Sequence, residues 1–344
     1  MAVSLAASGL LLEVEPELAG MEAKVALSLG CQLPEGFVGR LLAAGRVVDG
    51  ERRLHAKTVV HAGDRLLLLP PDWKASQQSR QRHANDSLPE VSLAFLDDHL
   101  LVANKPAGIL VHSDGSGEID TLDARVSQLR WKESWLTPFH VHRLDKGTSG
   151  AVLYAKHAFA ARTLDTMVSD GAVDRLYVAI VCGHLPDAKG LIQQRIGRDR
   201  HHAGRYVVSA SGQEARTWYH LLTDWEHPAL GRLSLVACQL ETGRTHQIRV
   251  HLQALGCPIV GDALYGGFQP NFSSFDGFYL HAAALRFPHP YAGRGDALVQ
   301  VSVPVPAPWR ALSAEAWGTN LDVLLREPGV LSQAVAQFLA EGRL

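Results

Sequence analysis

FHVHRLDKGTSGAVLYAK, residues 139–156, is the stretch on which the reading of this chain turns. One carboxylate, Asp145, stands between Arg143 and Lys146, with His140 and His142 upstream and the loop Gly147-Thr148-Ser149-Gly150 downstream. Nearby positive charge favours the ionised form of a carboxylate. An ionised carboxylate suits a nucleophile or a base rather than an acid. Small residues beside a charged cluster let a substrate come close to the backbone. The loop runs into AVLYAK (151–156), an apolar run that reads as a strand. A lone aspartate in a charged segment is ordinarily a salt-bridged surface residue, so the rest of the chain has to decide what Asp145 does.

Outward from there, strand-like runs outnumber helices. LAFLDDHLLVANK (93–105) reads as a hairpin, and LYVAIV (176–181), WYHLL (218–222) and LSLVACQL (233–240) as further strands. Thr245 is placed to cap a helix with Ile248, Leu252 and Leu255 on its apolar face, ended by Gly256 and Pro258. There is no GxGxxG or P-loop sequence. These elements predict an α+β domain over 90–310, built on a mixed, mainly antiparallel β-sheet. Residues 71–89, PDWKASQQSRQRHANDSLP, are polar and bounded by prolines and read as a linker. Ahead of it, residues 1–70 predict a small αβ domain: a short helix before Gly45, a strand at Val47-Val48, a turn at Asp49-Gly50 and a closing strand. The tail 311–344 is helical in pattern, with Leu331, Val335 and Phe338 on one face.

Composition sets the outer limits. A chain of 344 residues, 47% hydrophobic and 20% charged, is globular and long enough for two cores. Cys31, Cys182, Cys238 and Cys257 lie far apart without CxxC spacing, which reads as reduced thiols of a cytoplasmic protein. The apolar start lacks a basic region and runs into Glu13 and Glu15, unlike a secretion signal, and no long apolar run suggests a membrane span. The histidines lack HExxH spacing, so no metal is expected. A net charge of −2 means that any nucleic-acid partner must be held by local clusters. Two stand out: residues 36–70, with Arg40, Arg46 and Arg53, and the stretch carrying Arg198 and Arg200.

The motif HRLDKGTSG resembles the catalytic motif of the RluA-type pseudouridine synthases. Three further segments agree with that family in order and spacing: LDDHLLVANKPAGILVH (96–112), ETGRTHQIRVHLQALGCPIVGDALYGG (241–267) and LHAAALRFPHP (280–290). The resemblance implies that Asp145 is the catalytic carboxylate. It implies that Arg143 enters the RNA stack where the target uridine is flipped out, since a stacked base must leave the helix before its glycosidic bond is reached. Tyr177 would pack against the flipped base, and Arg249 would pair with Asp145 and fix its orientation, as a planar guanidinium does best with a carboxylate. The family usually has lysine where this chain has Arg175, and the charge is kept. No cofactor and no metal are implied. Whether Asp145 adds covalently to the sugar or removes a sugar proton stays open.

Helix, Gly-Arg-Val-Val-Asp-Gly and then Ala-Gly-Asp-Arg before an apolar strand resemble an S4-like RNA-binding module at residues 1–70 with a degenerate start. The partner implied is structured RNA, ribosomal in preference to transfer RNA, acted on by a monomer with no obligatory protein partner. Two rival functions fit less well. A hydrolytic glycosylase needs an activated water, often through a second carboxylate, and none accompanies Asp145 in its motif. A non-catalytic RNA-binding protein has no need of Asp145, Tyr177 and Arg249 together.

Overall fold

The computed structural model describes residues 2–71, 88–115, 117–269, 275–291, 297–309 and 330–343. The segment read as a linker falls almost wholly outside them, as does most of the tail before residue 330.

The N-terminal part is a five-stranded sheet ordered β1-β2-β5-β3-β4, with two helices. Its elements are β1 (Ala2–Ala6), β2 (Gly9–Glu13), α1 (Ala23–Gly30), α2 (Glu35–Ala43), β3 (Val47–Asp49), β4 (Arg52–Arg53) and β5 (Arg65–Leu68). The elements from α2 onward match the pattern read from sequence. The β1–β2 hairpin and α1 were not legible there: residues 2–13 are apolar with little alternation, and no side chain caps α1 at Glu22.

The larger part carries β6 (Ser92–Leu96), β7 (Leu100–Lys105), α3 (Leu122–Ser127), β8 (Phe139–His140), β9 (Ser149–Ala155), α4 (Ala158–Ser169) and β10 (Asp174–Cys182). After them come β11 (Lys189–Ile192), β12 (Ile196–Arg198), β13 (Tyr206–Val208), β14 (Thr217–His227), β15 (Gly231–Leu240), α5 (Gln247–Ala254), β16 (Leu280–Pro288), β17 (Leu298–Ser302) and α6 (Val330–Glu341). Among the described residues the main sheet runs β11-β14-β15-β10-β16-β9-β7-β6, with β17 beside β16 and β8 beside β9. It is antiparallel except where β16 meets β9, at His281–Ser149 and Ala282–Gly150. The expected α+β class with a mixed, mainly antiparallel sheet is what the chain adopts.

The sheet is covered on both faces, which explains its near-continuous apolar strands. In β9, Ala151, Leu153 and Ala155 enter one hydrophobic cluster while Val152 and Tyr154 enter the other, the two-residue alternation of a strand. The first cluster continues without a break into Leu10, Leu27, Phe37 and Leu66 of the N-terminal part. The seam between the two parts is also bonded: Trp135 Nε1 donates to Ala6 O at 2.9 Å, and the Phe37 and Phe159 rings meet edge to face at 6.3 Å. Residues 2–70 therefore dock on α4 rather than hang from a tether. At the other end α6 lies on the sheet through Phe338, which is wholly buried against Leu176, Ala237 and Ala284. No described helix is long and apolar enough to cross a membrane.

Candidate active site

The loop before β9 opens where β9 and β17 divide the edge of β16 between them. Two glycines of that loop are dictated by close approach. A Cβ at Gly150, whose φ is +114°, would lie 2.3 Å from Ala282 O, and one at Gly147 would lie 2.6 Å from the Phe278 ring. The two glycines accommodate the protein's own β16 and Phe278, while Gly147 and Thr148 also line the cleft. The result is a loop pressed onto the sheet, with Asp145 at the floor of a cleft of about 1170 Å³.

The partners of Asp145 come from far along the chain. Arg249 Nη1 donates to Asp145 Oδ2 at 2.9 Å. The two cations adjacent in sequence turn elsewhere: Lys146 pairs with Glu118, and Arg143 Nη1 lies 3.4 Å from His112 Nε2. The cation bonded to the carboxylate is thus Arg249, and the flanking Arg143 and Lys146 stand in the same cleft. Each of the two is engaged by its own partner, while the first turn of α5 brings Arg249 to the carboxylate.

Arg249 is itself clamped. Its Nε and Nη2 donate to the two oxygens of Asp262 at 2.7 and 2.9 Å, and its guanidinium lies over the rings of Tyr265 and Phe278, 4.8 and 4.4 Å from their centroids. The two-pronged geometry of a guanidinium is thus spent on Asp262, which is 1% exposed, and Asp145 receives one hydrogen bond. Burial opposes the charge on Arg249, but the two carboxylates outweigh it and raise its pKa.

Thr245 does not cap α5. The helix starts after His246, whose φ of 57° is left-handed and whose side chain makes no capping bond. Gln247 takes over part of the work: its Oε1 accepts the Arg244 N–H at 3.0 Å and the Thr242 hydroxyl at 2.7 Å. Gly256, at φ 76°, ends the helix as read. Beneath the floor, Lys105 is fully buried and donates from Nζ to the carbonyls of Pro106, Ile109 and Lys146 at 2.7–3.1 Å, tying the Lys-Pro turn to the Asp145 loop. Burial lowers its pKa to about 7, against the pull of Asp145.

Tyr177, on β10, is 4% exposed and lines the cleft together with Arg175; burial pushes its phenol up, so the ring stays neutral. Arg143 stands exposed at the rim, beside a stacked pair, His112 on His140, that Asp123 holds through His140 Nδ1 at 3.0 Å. Arg198 belongs to the β12–β13 hairpin. There the phenol of Tyr206 lies near Thr245, Arg198 and Arg143, which lower its pKa, so the hairpin stands beside the cleft mouth. Arg200 is exposed at its tip. Arg40 and Arg46 lie away from the cleft, lining a groove of about 410 Å³ with Arg162 of α4, and Arg53 packs against Gly45 nearby. Sequence reasoning missed Asp262, His246, Tyr265 and Lys105; each sits inside a motif quoted above, but nothing in a Gly-Asp pair or a Thr-His pair announces a buried clamp.

The fold and cleft together define a class, a pseudouridine synthase fold with an aspartate–arginine pair at its floor. Human RNA pseudouridylate synthase domain containing 1 superposes with a TM-score of 0.54 at 27% identity, over 73% of this chain and 96% of that one. The family model described as RNA pseudouridylate synthase matches residues 99–254. An RNA pseudouridine synthase of Bacillus subtilis, YhcT, is 38% identical over 257 residues, 74% of this chain and 80% of the relative. The ribosomal large subunit pseudouridine synthase C of Vibrio cholerae is 32% identical over 270 residues, 75% and 82% of the two chains. This chain belongs to the RluA-type family of RNA pseudouridine synthases, and like them it is an isomerase.

Proposed function

We propose that the protein converts specific uridines of structured RNA to pseudouridine with Asp145 as the reacting carboxylate, on ribosomal RNA in preference to transfer RNA. The observation that carries this is the Arg249 guanidinium, which is fixed by Asp262 and two aromatic faces and presents one N–H to Asp145 on the floor of the cleft. A carboxylate held in that way is oriented before substrate arrives, and positioning of the reacting group lowers the barrier of such a step. The N1–C1′ bond breaks, the base turns within the cleft against Tyr177, and C5 joins C1′. C5 gives up a proton and N1 gains one, so no electrons or groups pass to a second substrate. Arg143 at the rim fills the place in the RNA stack that the target base leaves.

The preference for ribosomal RNA rests on relatives such as the Vibrio cholerae enzyme, whose name places it on the large ribosomal subunit. Phosphates are met in two places. Arg198 and Arg200 offer cations at the cleft mouth, while Arg40, Arg46 and Arg162 line the groove on the other side of α4, with Arg53 close by. Arg162 faces that groove, whereas Asp165, Val168 and Ser169 of the same helix face the cleft. Seven residues of helix span about 10 Å, so the groove lies within about two nucleotides' reach of the cleft wall formed by α4. The test is a map of pseudouridines in ribosomal and transfer RNA from cells lacking the gene. Positions lost there should return with the wild-type gene and not with Asp145→Asn. Release of free uracil from RNA in vitro would instead mark a glycosylase.

A further inference from the structure

His246 is one of two non-glycine residues with positive φ among the described residues, a conformation that persists only where the surroundings impose it. The twist turns its imidazole into the cleft one residue before α5 begins. His246 and Arg249, three apart, then converge on one oxygen: Asp145 Oδ2 lies 2.9 Å from Arg249 Nη1 and 3.9 Å from His246 Nε2. On the far side of the ring, Nδ1 is 2.9 Å from the Tyr265 hydroxyl, and that oxygen accepts the Tyr206 backbone N–H at 3.0 Å. With one lone pair taken by that N–H, the hydroxyl has its own proton free to donate to Nδ1, and this is the tautomer taken up in the inference below. A neutral imidazole that accepts at Nδ1 carries its proton on Nε2, the atom aimed at Asp145. The Tyr206 and Tyr265 rings meet the imidazole edge to face at 5.5 and 5.7 Å and hold it in place, and burial favours its neutral form.

From this geometry we infer that His246 is a positioning residue for the isomerisation: its Nε2–H closes onto Asp145 Oδ2 when a nucleotide fills the cleft. Arg249 and His246 then hold that oxygen together and leave Oδ1 to face the sugar. A separation of 3.9 Å is too long for a hydrogen bond, and catalytic contacts that are loose in the free enzyme tighten in the substrate complex. The inference rests on Asp145 as the reacting carboxylate. The charged and titratable groups facing the pair are Arg249 and Asp262, Lys105 from β7, Tyr177 from β10, and, beyond Tyr206, Arg143 and Arg198.

The experiment is single-turnover rate against pH on saturating RNA for wild type, His246→Ala, His246→Gln and Tyr265→Phe, with RNA affinity measured in parallel. His246→Ala should lower the rate roughly tenfold to hundredfold with unchanged affinity. It should also move the acid limb to higher pH, because a carboxylate that loses a donor takes up a proton more readily. Glutamine restores a side-chain N–H and should recover most of the rate and return the limb. Tyr265→Phe, which keeps the ring but loses the proton that sets the tautomer, should fall between. A wild-type rate in His246→Ala overturns the inference, as does a loss that leaves the limb in place or that glutamine does not recover. Where His246→Ala fails to fold, Tyr265→Phe decides: a lowered rate with the limb moved to higher pH supports the inference, and a wild-type rate or an unmoved limb overturns it. Failure of the underlying reading looks different, since Asp145→Asn would then be active.

Discussion

The cleft and the α2–α4 groove both depend on arginine, and they use it in opposite ways. In the cleft, Arg249 is 6% exposed and makes three charge-assisted hydrogen bonds to two carboxylates, so its charge is committed to holding the protein's own groups. In the groove, Arg40, Arg46 and Arg162 line the wall with Phe37, Leu41, Ala44 and Pro71 and stay partly exposed, although Arg46 donates to Pro70 O at 3.1 Å and Arg162 pairs with Asp165 at 3.2 Å. A buried, paired arginine sets geometry; a partly exposed one sets the attraction between the protein and a polyanion. Damage to the first should appear in rate or stability, and damage to the second in affinity and its salt dependence.

The largest expected effect tests the first half of that contrast. Asp145→Asn keeps the size and one acceptor oxygen for Arg249 but removes the charge, and we expect a loss of single-turnover rate on the order of 10⁴-fold with RNA affinity nearly unchanged. Turnover within about tenfold of wild type would sink the assignment. Next comes the clamp. Asp262→Ala leaves Arg249 buried with half its partners gone, and breaking a buried ion pair costs about 3–5 kcal/mol, so a large drop in melting temperature should accompany the loss of rate. Arg249→Lys keeps the charge but not the two parallel bonds to Asp262, and should be partly active and clearly less stable. Equal melting temperatures for wild type and Asp262→Ala would show that the clamp is not structural.

What the sequence disclosed follows the same division. The sheet was legible because its strands are long and apolar, and Asp145 and Arg249 were legible because their motifs are. Their union across 104 positions is a tertiary fact that the motifs point to and periodicity cannot. The immediate partner of Asp145 was misread because adjacency in sequence was taken for contact: Arg143 and Lys146 share the cleft wall but bond to His112 and Glu118, and Arg249 bonds to the carboxylate. Asp262 and His246 escaped notice because their roles depend on burial and on a left-handed turn, and no local pattern reports either. The N-terminal hairpin was missed for a different reason, since apolar residues at successive positions of 2–13 leave no period to read.

A pH experiment asks whether the two regions are one cooperative unit. Burial lowers the pKa of His99 to about 4 on the side that docks the N-terminal part, and that of His281 to about 4 beneath the cleft. The unfolded chain binds a proton at each near pH 6.5 and the folded chain does not. Each residue therefore contributes stability that is fully present above about pH 6.5 and is lost as pH falls toward 4, at roughly 1.4 kcal/mol per unit. Trp135 lies 5.4 Å from His157 in the His99 network, and Trp309 lies 6.1 Å from His281. Fluorine-labelled tryptophans at these two positions should lose their native signals together, because the hydrophobic cluster on which the N-terminal part docks is continuous with the catalytic sheet. A Trp135 signal that disappears at higher pH than that of Trp309 would show that the seam opens first.

The smallest effect tests the groove. Arg40→Ala, Arg46→Ala and Arg162→Ala each remove one cation from a wall that faces solvent, so folding should be little affected, although Arg162 also pairs with Asp165 at 3.2 Å and lies over the Phe37 ring. If each arginine meets one phosphate, the slope of log affinity against log salt should fall by about 0.7–0.9 per substitution. The loss should be uniform across RNA sequences, since phosphate contacts carry no base information. The rate on saturating RNA should stay at the wild-type value, because none of the three lines the cleft. A short RNA that fills only the cleft supplies the control: if the groove binds the flanking strand, the short RNA should lose nothing when the three arginines are removed together. An equal loss on short and long RNA would mean that the arginines act at a distance through the general field of the protein, and the groove would then be no part of the RNA path.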